Sequence, residues 1–197
     1  MDYSQFFNMI PEAGLMAILV IVFLADLFLK GEKKHATLSM LTCALLVAQV
    51  VLCFNAQPAE AFAGLYTATA AAQVMKVILT AGAFIVVVMA QSWIEREDVL
   101  RKEGEFYELI ISTLLGMYMM ISSGHFLMFF LGLEMASVPM ACLVAFDKYK
   151  KISAEGAAKF ILTATFSSGV MLYGISFLYG ACGTLYFDDM AAKISAS

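Results

Sequence analysis

Six long apolar runs, separated by short polar connections, dominate the chain. In order, they cover Glu12–Leu29, Ala36–Phe54, Ala70–Trp93, Phe106–Ser122, His125–Phe146 and Glu155–Gly180. Runs of about 17–25 residues are long enough to cross the hydrocarbon core of a bilayer as helices. A transmembrane β-barrel would instead need segments of about 10 residues that alternate apolar and polar, and these runs do not alternate. The pattern predicts an all-α membrane protein with six transmembrane helices.

Composition supports a lipid environment. The 197 residues are 62% hydrophobic and only 14% charged, whereas a soluble domain carries roughly 25% charged residues. The lipid bilayer is therefore the first predicted partner. No basic stripe of the kind that binds nucleic acid is present, so a nucleic-acid partner is not expected.

The basic residues predict the orientation. Nine of the twelve Lys and Arg residues lie in the connections after the first, third and fifth runs: Lys30, Lys33, Lys34, Arg96, Arg101, Lys102, Lys148, Lys150 and Lys151. The positive-inside rule places these three loops in the cytoplasm, with the N-terminus outside. No Lys or Arg precedes the first run, so it does not resemble a cleaved signal peptide and is expected to be retained.

Motifs for metal or nucleotide chemistry are not recognisable in the sequence. The four cysteines show no Cys-x-x-Cys spacing and are expected to be buried as small apolar side chains: Cys43, Cys53, Cys142 and Cys182. The two histidines, His35 and His125, are far apart in the chain. Neither a metal site nor a phosphate-binding loop is predicted.

Glu134 is the charge that most needs a reason. It lies twelve residues before the end of the fifth run, which is about 18 Å at the rise of an α-helix. A carboxylate at this depth costs about 2.5–3.5 kcal/mol on insertion scales and normally faces a bundle interior or a wet cavity. Pro139 follows in the same run and leaves the carbonyl of Met135 without its helical donor. Two readings stay open, a proton-exchanging carboxyl and a protonated one hydrogen-bonded between helices.

The other charges within the runs lie nearer the surfaces. Asp26 and Glu108 fall close to the cytoplasmic ends of their runs, where interfacial solvation explains them. Lys76 is in the outer third of the third run, and its long stem could reach outward. Lys159 follows Glu155 by four residues, so an ion pair on one helix face is expected.

Several segments resemble the antiporter-like membrane subunits of respiratory complex I, and within that family the subunit N group of bacteria. The resemblance rests on the stretch FLGLEMASVP at Phe130–Pro139, on SAEGAAKF at Ser153–Phe160 and on LYGISFLYGACG at Leu172–Gly183. Glu105–Tyr107 and Leu114–Met117 also match, whereas residues 1–104 match mainly in topology.

The resemblance implies a fourteen-helix antiporter-like fold in the bacterial inner membrane that pumps protons, driven by quinone reduction elsewhere in the complex. The chain would be one subunit of an NADH–quinone oxidoreductase, a translocase, with the other membrane-arm subunits as partners. By resemblance, Glu134 and Lys159 are proton-relay residues. No cofactor is expected on this chain, because NADH and quinone are used elsewhere in the complex.

Within that fold, residues 1–104 would form an N-terminal three-helix segment. Residues 105–187 would begin the first antiporter-like repeat, and residues 188–197 would be a tail. Family members are more than twice as long, so this N-terminal portion is expected to stop before the broken seventh helix, whose central lysine is the usual partner of the Glu134 position. The chain alone is therefore not expected to be active.

Two alternative functions remain open. A subunit of a multisubunit sodium/proton antiporter shares the GLE and E-x-x-x-K features that contain Glu134 and Lys159. A membrane scaffold fragment without transport would make both charges structural. Direct contact between Glu134 and Lys159 is not predicted, since it would require helix tilt, a kink at Pro139 or intervening water.

Overall fold

The computed structural model describes residues 3–29, 34–94, 102–147 and 150–196 of the chain. A 3-10 helix, Tyr3–Met9, leads directly into the first α-helix. The α-helices are α1 (Ile10–Phe28), α2 (Lys34–Asn55), α3 (Ala70–Ile94), α4 (Glu103–Ile121), α5 (Phe126–Val144), α6 (Lys151–Cys182) and α7 (Phe187–Ala196). Between α2 and α3, strands β1 (Ala59–Ala61) and β2 (Tyr66–Ala68) form an antiparallel hairpin.

The described part of the chain is mostly helical, as the apolar runs predict. Within it, five helical segments are long and apolar enough to cross a membrane. They are Gln5–Phe28, Lys34–Asn55, Ala70–Ile94, Phe126–Val144 and Lys151–Cys182. The fourth predicted run also forms a helix, α4, but its first two turns carry three carboxylates and it is not among those five.

Helices α1 to α4 form a bundle around one apolar core. The core residues are buried on all four helices and include Leu15, Val22, Leu38, Leu46, Val87, Ile111 and Leu114. In contrast, α5 buries only Gly132 and Ala141, and α6 only Ser168 and Ile175. Much of the apolar surface of α5 and α6 is consequently exposed within this chain.

A close crossing joins α5 to α4. A Cβ atom on Gly116 would collide with the backbone of Met135 and Ala136, and one on Gly132 would come within 2.7 Å of the Met120 nitrogen. Small residues at such a crossing let two membrane helices approach through their backbones. The crossing places Glu134, which lies between the two contacted segments of α5, level with Gly116 on α4.

The β-hairpin is hydrogen-bonded to one end of the bundle. Its strands contain only three residues each, which the apolar pattern could not distinguish from a loop. The Thr67 amide donates to the Ser122 carbonyl at 2.8 Å, and the Gly124 amide donates to the Leu65 carbonyl at 2.9 Å. These bonds tie the hairpin to the α4–α5 connection. We call this end the hairpin end, and the opposite end, which carries Lys34, Lys102 and Lys150, the basic end.

Candidate functional site

Glu134 lies on α5 with its side chain half-buried. Within the residues that the structure describes, its carboxyl group has no hydrogen-bond or ion-pair partner. The helix continues through Pro139 and ends at Val144. Since proline has no N–H, the carbonyl of Met135 loses its helical donor. An unpaired carboxyl on the residue next to a freed carbonyl gives α5 a polar segment close to its middle.

Lys159 is paired on its own helix. Its ammonium lies 2.5 Å from Glu155 Oε1, and the two side chains are 74% and 65% exposed. The predicted pair at spacing i,i+4 is therefore confirmed. Although α6 packs on α5, the contacts of the described residues do not join Lys159 to Glu134. The two predicted site residues lie on neighbouring helices without direct contact.

A cavity of about 460 Å³ opens between α4 and α5 near the basic end. Its polar lining residues are Lys102, Glu105, Glu108, Ser112 and Cys142. Gly116 is the residue of α4 that lies level with Glu134. Ser112 precedes it by one helical turn, about 6 Å along the helix axis. The cavity thus extends from the charged end of α4 towards the level of Glu134. Cys142 is exposed, so the expectation that the cysteines are buried is wrong for this one.

Sequence reasoning missed a fully buried ion pair between α1 and α3. The Lys76 ammonium lies 2.5 Å from Glu12 Oε1, and the exposed fractions of the two residues are 0% and 2%. Lys76 does not extend outward as its position suggested. One signal was available: both charges lie within the first two turns of their helices at the same end of the bundle, and they are opposite in sign.

Hydroxyl groups and aromatic rings complete the surroundings of this pair. The Tyr66 hydroxyl donates to Glu12 Oε2 at 2.9 Å, and the Ser122 hydroxyl donates to Oε1 at 3.2 Å. The Lys76 nitrogen also lies 5.4 Å and 5.5 Å from the ring centroids of Tyr66 and Tyr118, within cation–π range. Burial and the adjacent carboxylate raise the pKa of the Tyr66 hydroxyl, which keeps it a donor.

A second layer of polar contacts continues from Tyr118. Its hydroxyl contacts Thr80 Oγ1 and lies 3.0 Å from the Cys53 sulfur. The Gln49 side-chain amide donates to the Pro11 carbonyl at 2.7 Å, while its buried oxygen has no partner among the described residues. We call the whole set the buried polar cluster: Glu12, Gln49, Cys53, Tyr66, Lys76, Thr80, Tyr118 and Ser122.

An ion pair and a histidine–carboxylate hydrogen bond also join helices at the basic end. Lys34 lies 2.9 Å from Asp26 Oδ1, and His35 Nδ1 lies 2.5 Å from the buried Glu103 carboxylate. Asp26 is partly exposed, as expected for a charge near the interface.

At the hairpin end, the His125 ring accepts a hydrogen bond from the Leu127 amide at 3.1 Å and thereby caps α5. Burial lowers the pKa of His125.

Within the described residues, no group of three or more His, Cys, Asp or Glu side chains could hold a metal ion. The chemistry that the geometry offers is therefore that of isolated or paired ionisable groups. Glu134 is one such unpaired carboxyl near the middle of its helix, whereas Glu12, Asp26, Glu103 and Glu155 each have a basic partner.

Comparison with known proteins gives this arrangement a context. The profile of the family described as NADH:quinone oxidoreductase/Mrp antiporter, TM, matches residues 123–196, which include Glu134 and Lys159. NADH-quinone oxidoreductase subunit N of Phocaeicola vulgatus is 51% identical over all 197 residues. The chain is a homologue of subunit N. The subunits N of Azobacteroides pseudotrichonymphae and Neisseria gonorrhoeae are 43% and 34% identical over 100% and 93% of the chain.

The chain spans about two fifths of these relatives: 42% of the first two and 38% of the third. Among solved structures, respiratory complex I from Thermus thermophilus with bound aureothin contains a similar chain. The TM-score is 0.73 at 25% identity, over 89% of this chain and 38% of that one. An archaeal membrane-bound sulfane sulfur reductase shares the fold, with a TM-score of 0.76 at 18% identity, over 94% and 39%. With its apolar helices, this subunit N homologue is a multi-pass membrane protein.

Proposed function

We propose that this chain forms part of a proton-translocating membrane subunit of a bacterial NADH–quinone oxidoreductase, with Glu134 as the carboxyl that exchanges protons. The observation that carries the proposal is the unpaired, half-buried Glu134 within the segment that matches the antiporter family. A carboxyl without an internal partner can gain or lose a proton without breaking an ion pair. Its relatives are named as subunits of a quinone oxidoreductase, which would supply the driving force.

The proposed topology has six transmembrane helices, with α4 as the sixth crossing beside the five apolar ones. Support comes from α4 packing along both α1 and α5, which are candidate spans. The basic end would face the cytoplasm by the positive-inside rule, and the hairpin end and the N-terminus the outer side of the inner membrane. The carboxylates of Glu103, Glu105 and Glu108 would then lie near the cytoplasmic interface.

In this orientation the cavity between α4 and α5 is the proposed route of protons from the cytoplasm. Glu108 and Ser112 line it, and Ser112 approaches the level of Glu134. Water could carry the proton over the remaining turn, because water-mediated hydrogen bonds bridge gaps that direct contacts cannot. Lys159 is the second proposed relay group. It lies on α6, the helix that packs against α5, and it is paired there with Glu155.

The proposed partners are the bilayer, the remaining membrane-arm subunits and further transmembrane helices that cover α5 and α6. The exposed apolar side chains of α5 and α6 support such neighbours. NADH and quinone would react elsewhere in the complex, and we assign no cofactor to this chain.

The test is the substitution Glu134→Gln in the assembled complex, reconstituted in proteoliposomes. We expect proton pumping to be lost while assembly is retained, because an amide cannot exchange a proton at this position. Glu60→Gln is the matched control, since Glu60 is an exposed hairpin residue. Unchanged pumping in Glu134→Gln would support the scaffold alternative.

A sodium/proton antiporter subunit is the second candidate, because the description of the matching family includes Mrp antiporters. The same proteoliposomes separate the two functions. Proton movement that requires quinone reduction and persists without sodium supports the oxidoreductase, whereas movement that follows an imposed sodium gradient supports the antiporter.

A further inference from the structure

We propose that the buried Glu12–Lys76 ion pair is a positioning site for Glu134. In this proposal the pair fixes the hairpin end of α4, and α4 in turn holds α5 where Glu134 exchanges protons. The proposal rests on the proposed function of Glu134, which lies on a different part of the molecule from the pair.

The first step is the place of the pair in the bundle. Helices α1 and α3 each pack against α2 and α4, and the Glu12–Lys76 contact connects α1 and α3 across the interior of that bundle. Both side chains are completely enclosed. In lipid, apolar surfaces gain little by preferring one another over acyl chains, so apolar packing alone defines helix position weakly. A buried ion pair is different, because moving either partner leaves an uncompensated charge.

The second step leads from the pair to the last turn of α4. Ser122 donates its hydroxyl to the Glu12 carboxylate at 3.2 Å. One turn earlier, the Tyr118 hydroxyl lies 3.3 Å from the Lys76 carbonyl, and its ring lies beside the Lys76 ammonium. The end of α4 is thus attached both to the two charged side chains and to the backbone of α3.

The third step leads from α4 to Glu134. The Gly116–Gly132 crossing leaves no room for even a Cβ atom on either glycine. The connection between the two helices is short, and the hairpin bonds to it on both sides of Ser123. A shift of α4 must therefore be accompanied by a shift of α5, on which Glu134 lies two residues after Gly132.

The test compares variants of the complete complex. Glu12→Gln and Lys76→Met alone should reduce the amount of assembled complex, because each leaves one buried charge unpaired. The double variant should assemble at the wild-type level, since no unpaired charge remains and the introduced amide can accept from one of the Tyr66 and Ser122 hydroxyl groups and donate to the other. If positioning is its role, this double variant should pump at least about threefold more slowly, because displacements near 1 Å away from the chemistry can cost far more. The pH of half-maximal pumping should also shift by about half a unit or more, as the surroundings of Glu134 change.

Two further variants complete the test, a control elsewhere on α3 and a smaller change beside the ion pair. Gln91→Leu removes the 2.6 Å hydrogen bond between α3 and Ser39 on α2, which does not involve α4; its pH profile should equal that of the wild type. Ser122→Ala keeps both charges and removes one bond to α4, so it should shift the profile in the same direction by less. It replaces the double variant if that variant does not assemble.

A double variant, or failing that Ser122→Ala, that pumps with the wild-type rate and pH profile would overturn the positioning role. Glu134→Gln in the same preparation separates this failure from that of the proposed function. If Glu134→Gln abolishes pumping while the pair can be neutralised without consequence, only the positioning role is lost. If Glu134→Gln itself pumps normally, the proposed function fails first.

Discussion

Two carboxylates on apolar helices of this chain, Glu12 and Glu134, differ in burial and in hydrogen bonding. Glu12 is enclosed and accepts from an ammonium and two hydroxyl groups. Glu134 is half-buried, and its carboxyl is unpaired within the described residues. Since burying a charge in lipid demands compensation, the first carboxylate is fully compensated inside the chain. The second remains available for a proton, for water or for a neighbouring helix. Location in an apolar helix does not distinguish the two carboxylates; the completeness of their hydrogen bonding does.

The difference between an enclosed and an exposed ion pair is tested most directly by replacing Lys76 and Lys159. We expect Lys76→Met to destabilise the chain by about 3–5 kcal/mol, because it leaves the Glu12 carboxylate buried without its counter-charge. The same change at Lys159 should cost less than about 1 kcal/mol, because its pair with Glu155 is exposed. Thermal unfolding of the purified complex, followed through this subunit, measures both. Equal losses would show that the two pairs do not differ in the way their burial indicates.

The α4–α5 crossing offers the next largest effect. Gly132→Ala should destabilise the protein by about 1–3 kcal/mol, because the added methyl group meets the backbone of α4. Gly174→Ala on α6 is the matched control, since an added Cβ there has no neighbour within 4 Å in this chain. Thermal unfolding and the yield of assembled complex are the measurements. A Gly132→Ala protein as stable as the control would contradict the close crossing.

Cysteine labelling sharpens the contrast between enclosed and open regions. In a Cys43→Ala/Cys182→Ala background, Cys142 in the cavity should react at least about tenfold faster than buried Cys53 with a small thiol reagent, because reactivity follows exposure. A membrane-impermeant reagent should reach Cys142 only from the cytoplasmic side, as inside-out vesicles would reveal. Labelling from the opposite side would reverse the proposed orientation.

The smallest expected effect concerns pH. Burial lowers the pKa of His125, so the folded chain binds fewer protons there than the unfolded chain. Stability should therefore fall as pH drops below about 6.5, the ordinary pKa of histidine, and the fall should end at the lower folded value. His125→Asn should reduce this dependence and keep the helix cap, because asparagine is also a good capping residue. Unfolding temperatures between pH 5 and 7 measure it.

The helices could be predicted from the sequence because apolar runs of this length have few alternatives. The hairpin could not, since strands as short as Ala59–Ala61 leave no periodicity in the sequence. Glu134 was found because it lies deep within one run, and the Glu155–Lys159 pair because both residues share one helix. Glu12–Lys76 was missed because Glu12 resembled a flanking residue and the pairing depends on how α1 and α3 are arranged in space. The cavity beside Glu108 likewise depends on the α4–α5 packing.

The length of α6 has a consequence for the electrical environment of Lys159. Its 32 residues extend about 48 Å, well beyond a hydrocarbon core of about 30 Å. In the proposed topology, an excess at the N-terminal end of α6 would bring its first turns, with Glu155 and Lys159, towards the headgroups at the basic end. There, mobile ions of the aqueous phase screen charges over about 8–10 Å. The ionic strength of the adjoining compartment, and not only its pH, would then set how strongly the Lys159 charge acts on the neighbouring helix.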